Sequence, residues 1–237
     1  MSSGGAAERA LTIARGGHMT AGTELFDAIR AGDVARVRGL LATEPGLVNR
    51  RNERGHSPVL IAQYHHKSDV VAVLLGAGPE LDLFDACAVG RTERVAELLD
   101  QDPSQVSAYS GDGFYPLGLA AFFGHPETVR LLLTRGADVA QVARNPMRVQ
   151  ALHSAAAGRS FEAVRLLVEA GAPVNAKQEK GWAPLHEAVL SRDVEMTRYL
   201  LAHGADPKQQ NDEGKSAIGI AAEAGDAAIL RLLKGQG

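Results

Sequence analysis

One cysteine in 237 residues, Cys87, excludes an internal disulfide framework and fits a reducing compartment. Basic residues are not in excess: 25 Lys and Arg stand against 28 Asp and Glu, a formal net charge of -3, so no basic face for a nucleic acid is expected. No apolar run approaches the roughly 18 residues of a membrane span, which removes the membrane as an expected partner. Aromatics are scarce at 5%, so the places where they gather carry information. What is present, 45% hydrophobic and 22% charged residues, is the make-up of an ordinary soluble chain long enough to bury a core. The expectation is a soluble, cytoplasmic protein.

Residues 1–22 stand apart. Ser, Gly and Ala dominate them, and the apolar stretch from Ala10 to Ala14 is too short for a signal-peptide core. They read as a disordered extension with one weak helical turn around Glu8 to Arg15, ahead of a repeat domain over 23–237. Met19 is a second candidate start, because codons for Arg15-Gly16-Gly17 accommodate a purine-rich ribosome-binding site. An intact mass beginning at Met1 in the endogenous protein excludes that start.

The rest of the chain is periodic. An apolar residue three before a small one recurs at Leu25, Val59, Leu83, Leu117, Leu152, Leu185 and Ile218, with gaps of 34, 24, 34, 35, 33 and 33. Small residues follow each anchor: Ala28, Ala62, Ala86, Ala120-Ala121, Ala155-Ala156, Ala188 and Ala221-Ala222. Apolar residues return twelve, fifteen and sixteen positions on, as in Val129-Leu132-Leu133 and Val164-Leu167-Val168, which is the spacing of one helical face. Gly78, Gly136, Gly171 and Gly204 then suit left-handed helix ends. Each unit is a helix pair whose apolar side only a neighbour can cover.

These residues resemble the ankyrin repeat family. The likeness is strongest over Gly181-Trp182-Ala183-Pro184-Leu185-His186-Glu187-Ala188 and Leu200-Leu201-Ala202-His203-Gly204-Ala205-Asp206, and close over Gly124-His125-Pro126-Glu127, Leu131 to Asp138 and Gly171 to Ala176. It runs from about residue 23 to 234. The resemblance implies an all-α solenoid of about seven helix-loop-helix units joined by hairpin-like fingers, with a concave binding face; Glu24, Asp27, Arg30, Arg36 and Arg38 at one end and Lys215, Glu223, Asp226, Arg231 and Lys234 at the other make polar rims suited to capping units. It departs from the family pattern between Val59 and Leu83, where about ten residues are missing and the loop at Gly78-Pro79-Glu80 cannot form a full finger. A second regularity overlies the first: Leu25 to Leu83 and Val59 to Leu117 both span 58 residues, and Leu25-Phe26-Asp27-Ala28 echoes Leu83-Phe84-Asp85-Ala86. The first four units therefore read as a duplicated two-repeat module.

In proteins of this family, contacts come from finger tips and from the exposed side of each first helix. Counting from the anchors places Tyr64-His65, Ala88-Val89, Phe122-Phe123, Ala157-Gly158, Leu190-Ser191 and Glu223-Ala224 on the groove, and Arg51, His56, Tyr109, Phe114, Met147, Lys177 and Trp182 on fingers. Six of the aromatics thus fall at expected surface positions, with Tyr115 beside them. Large rings at exposed sites make binding hot spots. The expected partner-binding set is Arg51, His56, Tyr64, His65, Tyr109, Phe114, Phe122, Phe123, Met147, Trp182 and Leu190. The competing reading is that some of these rings pack between neighbouring fingers and stiffen the stack.

Catalytic chemistry finds little support. His65 and His66 are adjacent, so on a helix they diverge by about 100° and do not chelate. His153 and His186 take one place in their units, where the family's histidine bonds loop backbone, and His125 matches the family's Gly-His corner. Cys87 lies among small helix residues and is read as packing. Gly111-Asp112-Gly113 lacks the Gly-Lys-Ser/Thr of a phosphate loop, and Asp212-Glu213 reads as a solvated finger. Arg50, Arg51 and Arg54 suit an acidic partner, with Glu53 among them. The expectation is a non-enzymatic module, without cofactor or metal, that binds another protein as an adaptor or stoichiometric inhibitor. A self-associating structural protein is the alternative, with a small-molecule binder or enzyme behind it.

Overall fold

A computed structural model describes residues 20–235, and their contacts divide the chain between Glu80 and Leu81 into two compact units. The division falls in the shortened loop after Gly78.

The first unit holds α1 (Ala21–Ala31), α2 (Val34–Thr43), a 3-10 helix (Pro45–Asn49), α3 (Pro58–Tyr64) and α4 (Ser68–Gly76). Helix α1 packs on α3 and α2 on α4. The Thr20 hydroxyl accepts the Thr23 amide and caps α1, so Thr20 to Gly22 belong to the first helix and not to the extension expected over 1–22. The rest of that extension, with its helical turn at Glu8 to Arg15 and the start at Met19, lies outside the described residues.

The second unit holds α5 (Leu83–Ala88), α6 (Thr92–Gln101), a 3-10 helix (Pro103–Ser107), α7 (Pro116–Phe122), α8 (Pro126–Thr134), α9 (Ala151–Ala157), α10 (Phe161–Glu169), a 3-10 turn (Glu179–Gly181), α11 (Pro184–Leu190), α12 (Val194–Ala202), α13 (Ala217–Glu223) and α14 (Ala227–Leu233). It is a two-layer stack: α5, α7, α9, α11 and α13 form one row of first helices, and α6, α8, α10, α12 and α14 the second row. Among the described residues the only β pairing is an isolated bridge between Gln210 and Ser216.

The recurring sequence features have recurring structural work. The first six anchors are 0–2% exposed, and the seventh, Ile218, is half-buried in the last helix pair. Burying each such side chain favours folding by about 1.5–3 kcal/mol, which only a neighbouring repeat can provide. The small residue three after each anchor lets the second helix turn back. The carbonyls of Ala28, Ala62, Ala86, Ala120, Ala155, Ala188 and Ala221 accept the amides of Asp33, Lys67, Arg91, His125, Ser160, Asp193 and Asp226 at 2.9–3.0 Å. Pro58, Pro116 and Pro184 start first helices, where a missing N–H costs nothing. Gly78, Gly136, Gly171 and Gly204 are left-handed at φ 71 to 89, as their positions predicted.

The 58-residue duplication is visible element by element. Helices α2 and α6, the two 3-10 helices at Pro45 and Pro103, α3 and α7, and α4 and α8 each begin 58 positions apart. Their fingers close alike, with the Asn52 amide bonding the His56 carbonyl and the Ser110 amide the Phe114 carbonyl.

Candidate functional site

The fingers of the second unit, at residues 108–115, 137–150, 172–183 and 205–216, are tied in series. Single backbone bonds run from the Arg144 amide to the Gly113 carbonyl, from Glu179 to Met147 and from Asp212 to Lys180, at 2.8–3.0 Å. Behind each tie a buried side chain donates to the next finger. His153 Nε2 meets the Ala176 carbonyl at 2.9 Å, His186 Nε2 the Gln209 carbonyl at 3.1 Å, and the Tyr115 hydroxyl the Gln141 carbonyl at 2.8 Å.

Tyr115 does from a different position what the histidines do. One residue after the anchor, where His153 and His186 stand, this repeat has Gly118, and a Cβ there would lie 3.2 Å from Tyr115 Cζ. The ring fills the histidine's space. Tyr115, expected beside the surface aromatics, is therefore fully buried: its ring closes the gap at Gly118 and its hydroxyl is held by a carbonyl.

The histidines are structural. Nδ1 of His153 accepts the Gln150 amide and Nδ1 of His186 the Ala183 amide, so Nε2 carries the proton it donates. Burial pushes both rings below the usual histidine range, opposed by their carbonyl bonds. His125 behaves alike: burial lowers it, while its Nε2 meets the Ala88 carbonyl at 3.0 Å. Cys87 is buried, and desolvation holds its thiol far above the ordinary range. Among the described residues no group of three or more His, Cys, Asp or Glu could hold a metal ion.

The eleven expected contact residues fall in both units. In the first, Arg51 and His65 are exposed and Tyr64 is half-buried. Arg51 Nη1 donates to the Gly55 carbonyl at 2.9 Å and braces its finger. His56 departs from its expected surface position: it is 7% exposed, its ring edge-on to Tyr64 at 5.9 Å. In the second unit, Tyr109, Phe114, Phe122, Phe123 and Trp182 are half-buried, while Met147 and Leu190 are exposed at 44% and 52%. Tyr109 acts between fingers, its hydroxyl on the Val142 carbonyl at 3.0 Å and Arg144 Cζ 4.1 Å from its ring centroid. Phe122 and Phe123 stack edge to face at 5.1 Å, and Trp182 does so with His186 at 5.5 Å. Ala88, expected on the groove, is buried, since His125 covers its carbonyl.

Two exposed apolar side chains escaped the sequence reading, Val142 and Val194. Val194 opens α12 four residues beyond Leu190; Val142 lies in the longer finger at 137–150, which the 35-residue gap signals. With Met147 and Leu190 they are the exposed large apolar residues among those described, and all lie between 142 and 194. Phe161, Tyr199 and His203 make a further ring cluster on the second-helix row, with centroids 5.6 and 4.0 Å apart.

Among the described residues no helix is long and apolar enough to cross a membrane. A protein-family model described as "Ankyrin repeats (3 copies)" matches residues 83–178 and 152–237, more than half of the chain. Over 101 residues the chain is 35% identical to the mouse (Mus musculus) ankyrin repeat and SAM domain-containing protein 6, which covers 43% of this chain and 11% of that protein. Over 100 residues it is 38% identical to human (Homo sapiens) SH3 and multiple ankyrin repeat domains protein 1, covering 41% of this chain and 4% of the relative. A longer match, 27% over 173 residues, covers 64% of this chain and 38% of an Arabidopsis thaliana protein named as a candidate E3 ubiquitin-protein ligase, XBAT31. The chain thus spans a small part of the length of the first two relatives.

Proposed function

The chain belongs to the ankyrin repeat family, and on that premise we propose that it is a protein-binding module, an adaptor or stoichiometric inhibitor, whose partner lies along the first helices and fingers of the second unit. The observation that carries this reading is that the exposed large apolar residues among those described all fall in two consecutive repeats, Val142 and Met147 on the finger side, Leu190 and Val194 at the turn side. Single exposed apolar residues are ordinary on a protein surface, so it is their restriction to one stretch of the stack that favours a partner there. Phe122-Phe123 end α7 in the repeat before, and Trp182 stands in the third finger. A stable complex would bury on the order of 1,200–2,000 Å² in total.

Histidines committed to carbonyls, a buried thiol and the absence of a matched nucleophile and base among the described residues favour binding over catalysis. The single cysteine fits a reducing, cytoplasmic setting. Self-association would use the same apolar set.

The test is binding of a partner recovered from native lysate to Phe123→Ala and Trp182→Ala variants, with circular dichroism to confirm the fold. Weakened binding in a folded variant supports the proposal. Unchanged affinity in both removes this surface from consideration, and mass that rises with protein concentration favours self-association.

A further inference from the structure

Five non-glycine residues among those described have positive φ: His66 (53), Arg148 (50), Arg159 (56), Lys180 (58) and Arg192 (56). L side chains avoid this region, and where they enter it Asn, Asp and His are the usual occupants, so the Arg and Lys residues are the uncommon ones. Here every one is basic or histidine, and the four cations lie in the same two repeats as the exposed apolar set.

For Arg148, Arg159 and Arg192 the fold does not require the cation, since glycine serves at the same turn elsewhere. At the finger turn of Arg148 the other fingers have Gly55, Gly113, Gly181 and Gly214, each with its amide on the carbonyl three residues back. At the turns of Arg159 and Arg192 the other repeats of this unit have Gly90, Gly124 and Gly225. Several other arginines form ion pairs, as in Arg94–Glu97, Arg130–Glu127, Arg135–Asp100 and Arg165–Glu162. The side chains of Arg148, Arg159, Lys180 and Arg192 have no hydrogen bond or ion pair among the described residues. Arg159, Lys180 and Arg192 are exposed, as is Arg148.

Their backbone positions bracket two neighbouring first helices. Arg148 and Lys180 precede α9 and α11 on the finger side; Arg159 and Arg192 follow them on the turn side. A seven-residue helix is about 10 Å long and adjacent helices lie about 8–10 Å apart. The backbones of these residues therefore stand at the corners of a patch that fits one extended or helical segment, with Met147 and Leu190 at its edges; Arg148 also lines a cavity with Tyr109, Asp138 and Val142. Glu179 adjoins Lys180, Asp193 adjoins Arg192, and Glu187 stands on α11 between them, held by Gln178 Nε2 at 3.3 Å, so positive charge comes as separate points. A nucleic acid's unbroken phosphate row suits a continuous basic face instead.

Resting on the binding reading above, we propose that α9 and α11 floor a docking surface for an acidic polypeptide segment. Its carboxylates pair with Arg148, Lys180, Arg159 and Arg192, and its apolar side chains cover Met147 and Leu190.

The test uses the full chain, a phage library of random 16-residue peptides, and the quadruple variant Arg148→Gly/Lys180→Gly/Arg159→Gly/Arg192→Gly, which keeps the left-handed turns with the residue they favour. The expected result is enrichment of Asp- and Glu-rich sequences with interspersed apolar residues. A synthetic peptide of that set should lose on the order of tenfold or more in affinity for the variant, and weaken in high salt. Enriched peptides without acidic bias, or acidic ones that bind the variant equally, overturn the inference. If those peptides are still lost from a Phe122→Ala/Phe123→Ala variant, the binding reading survives without it. No enrichment at all counts against both. Binding of a 20-nucleotide single strand that the variant loses, with no acidic peptide selected, overturns the inference in favour of a nucleic acid.

Discussion

The ring of Tyr115 occupies the space that Gly118 leaves open, so that a methyl group on Gly118 would come within 3.2 Å of Tyr115 Cζ. The two residues are one device, and they replace the histidine that ties fingers together at His153 and His186.

That pairing predicts non-additive stabilities. Gly118→Ala should forfeit, through crowding against the ring, the roughly 0.5–1 kcal/mol that alanine gains over glycine inside a helix. In a Tyr115→Ala background the same change should recover that gain. Urea denaturation of the four proteins measures the coupling; additive costs would contradict the shared space.

Gly158 and Gly136 should fail for different reasons when changed to alanine. At Gly158 φ is -73, open to any residue, but a Cβ would lie 1.9 Å from the Phe122 carbonyl oxygen. At Gly136 φ is 85 and the space is open. Gly136→Ala should cost roughly 1 kcal/mol from backbone conformation alone, and Gly158→Ala about 2–3 kcal/mol or more, because backbone must move. Equal denaturation midpoints for the two variants would contradict this.

Arg159→Gly and Arg192→Gly should each leave the protein as stable as before or stabler by up to about 1 kcal/mol, since relief of the left-handed turn outweighs the added freedom of the unfolded chain. A clear fall in melting temperature would mean that these side chains hold the fold, and would remove the reason for assigning their charge to a partner.

Acid should weaken the stack through its buried histidines. The folded pKa values of His125, His153 and His186 lie below the usual 6.5, because burial disfavours the charged ring. The unfolded chain therefore takes up these protons first as pH falls. Their contribution is fully present above about pH 6.5 and is lost as pH drops from there through the folded values. Protonating His153 or His186 at Nδ1 also removes the acceptor of the Gln150 or Ala183 amide. Denaturation midpoints should fall between pH 7 and pH 5. A His186→Gln variant should show a flatter decline; an unchanged slope would exclude that ring as a source.

The repeat architecture was legible because anchor, alanine and glycine positions each answer to one local requirement: a buried face, a close helix approach, a left-handed turn. The same arithmetic exposed the 58-residue duplication and the shortened loop at Gly78. It did not tell which rings would be sunk. Tyr115 goes inward because of an absence three residues away, at Gly118, and His56 because a neighbouring ring, Tyr64, receives it. Counting from anchors found Leu190 and Met147 but not Val142, since the finger at 137–150 is longer than its neighbours. The basic left-handed residues left a signal that the anchor count passed over: seven after the anchor, where Gly90, Gly124 and Gly225 stand, Arg159 and Arg192 break the pattern, and the backbone angles show what that costs.

The central claim, that this module binds a protein through the repeats around α7, α9 and α11, is tested most directly by quantitative capture from native lysate. The wild type would be compared with Phe122→Ala/Phe123→Ala/Leu190→Ala and with Arg130→Ala on the second-helix row. The account predicts one partner held in stoichiometric amount by wild type and Arg130→Ala and lost by the triple variant, all three remaining folded. The same proteins retained by all three baits, or none held above background, would contradict it.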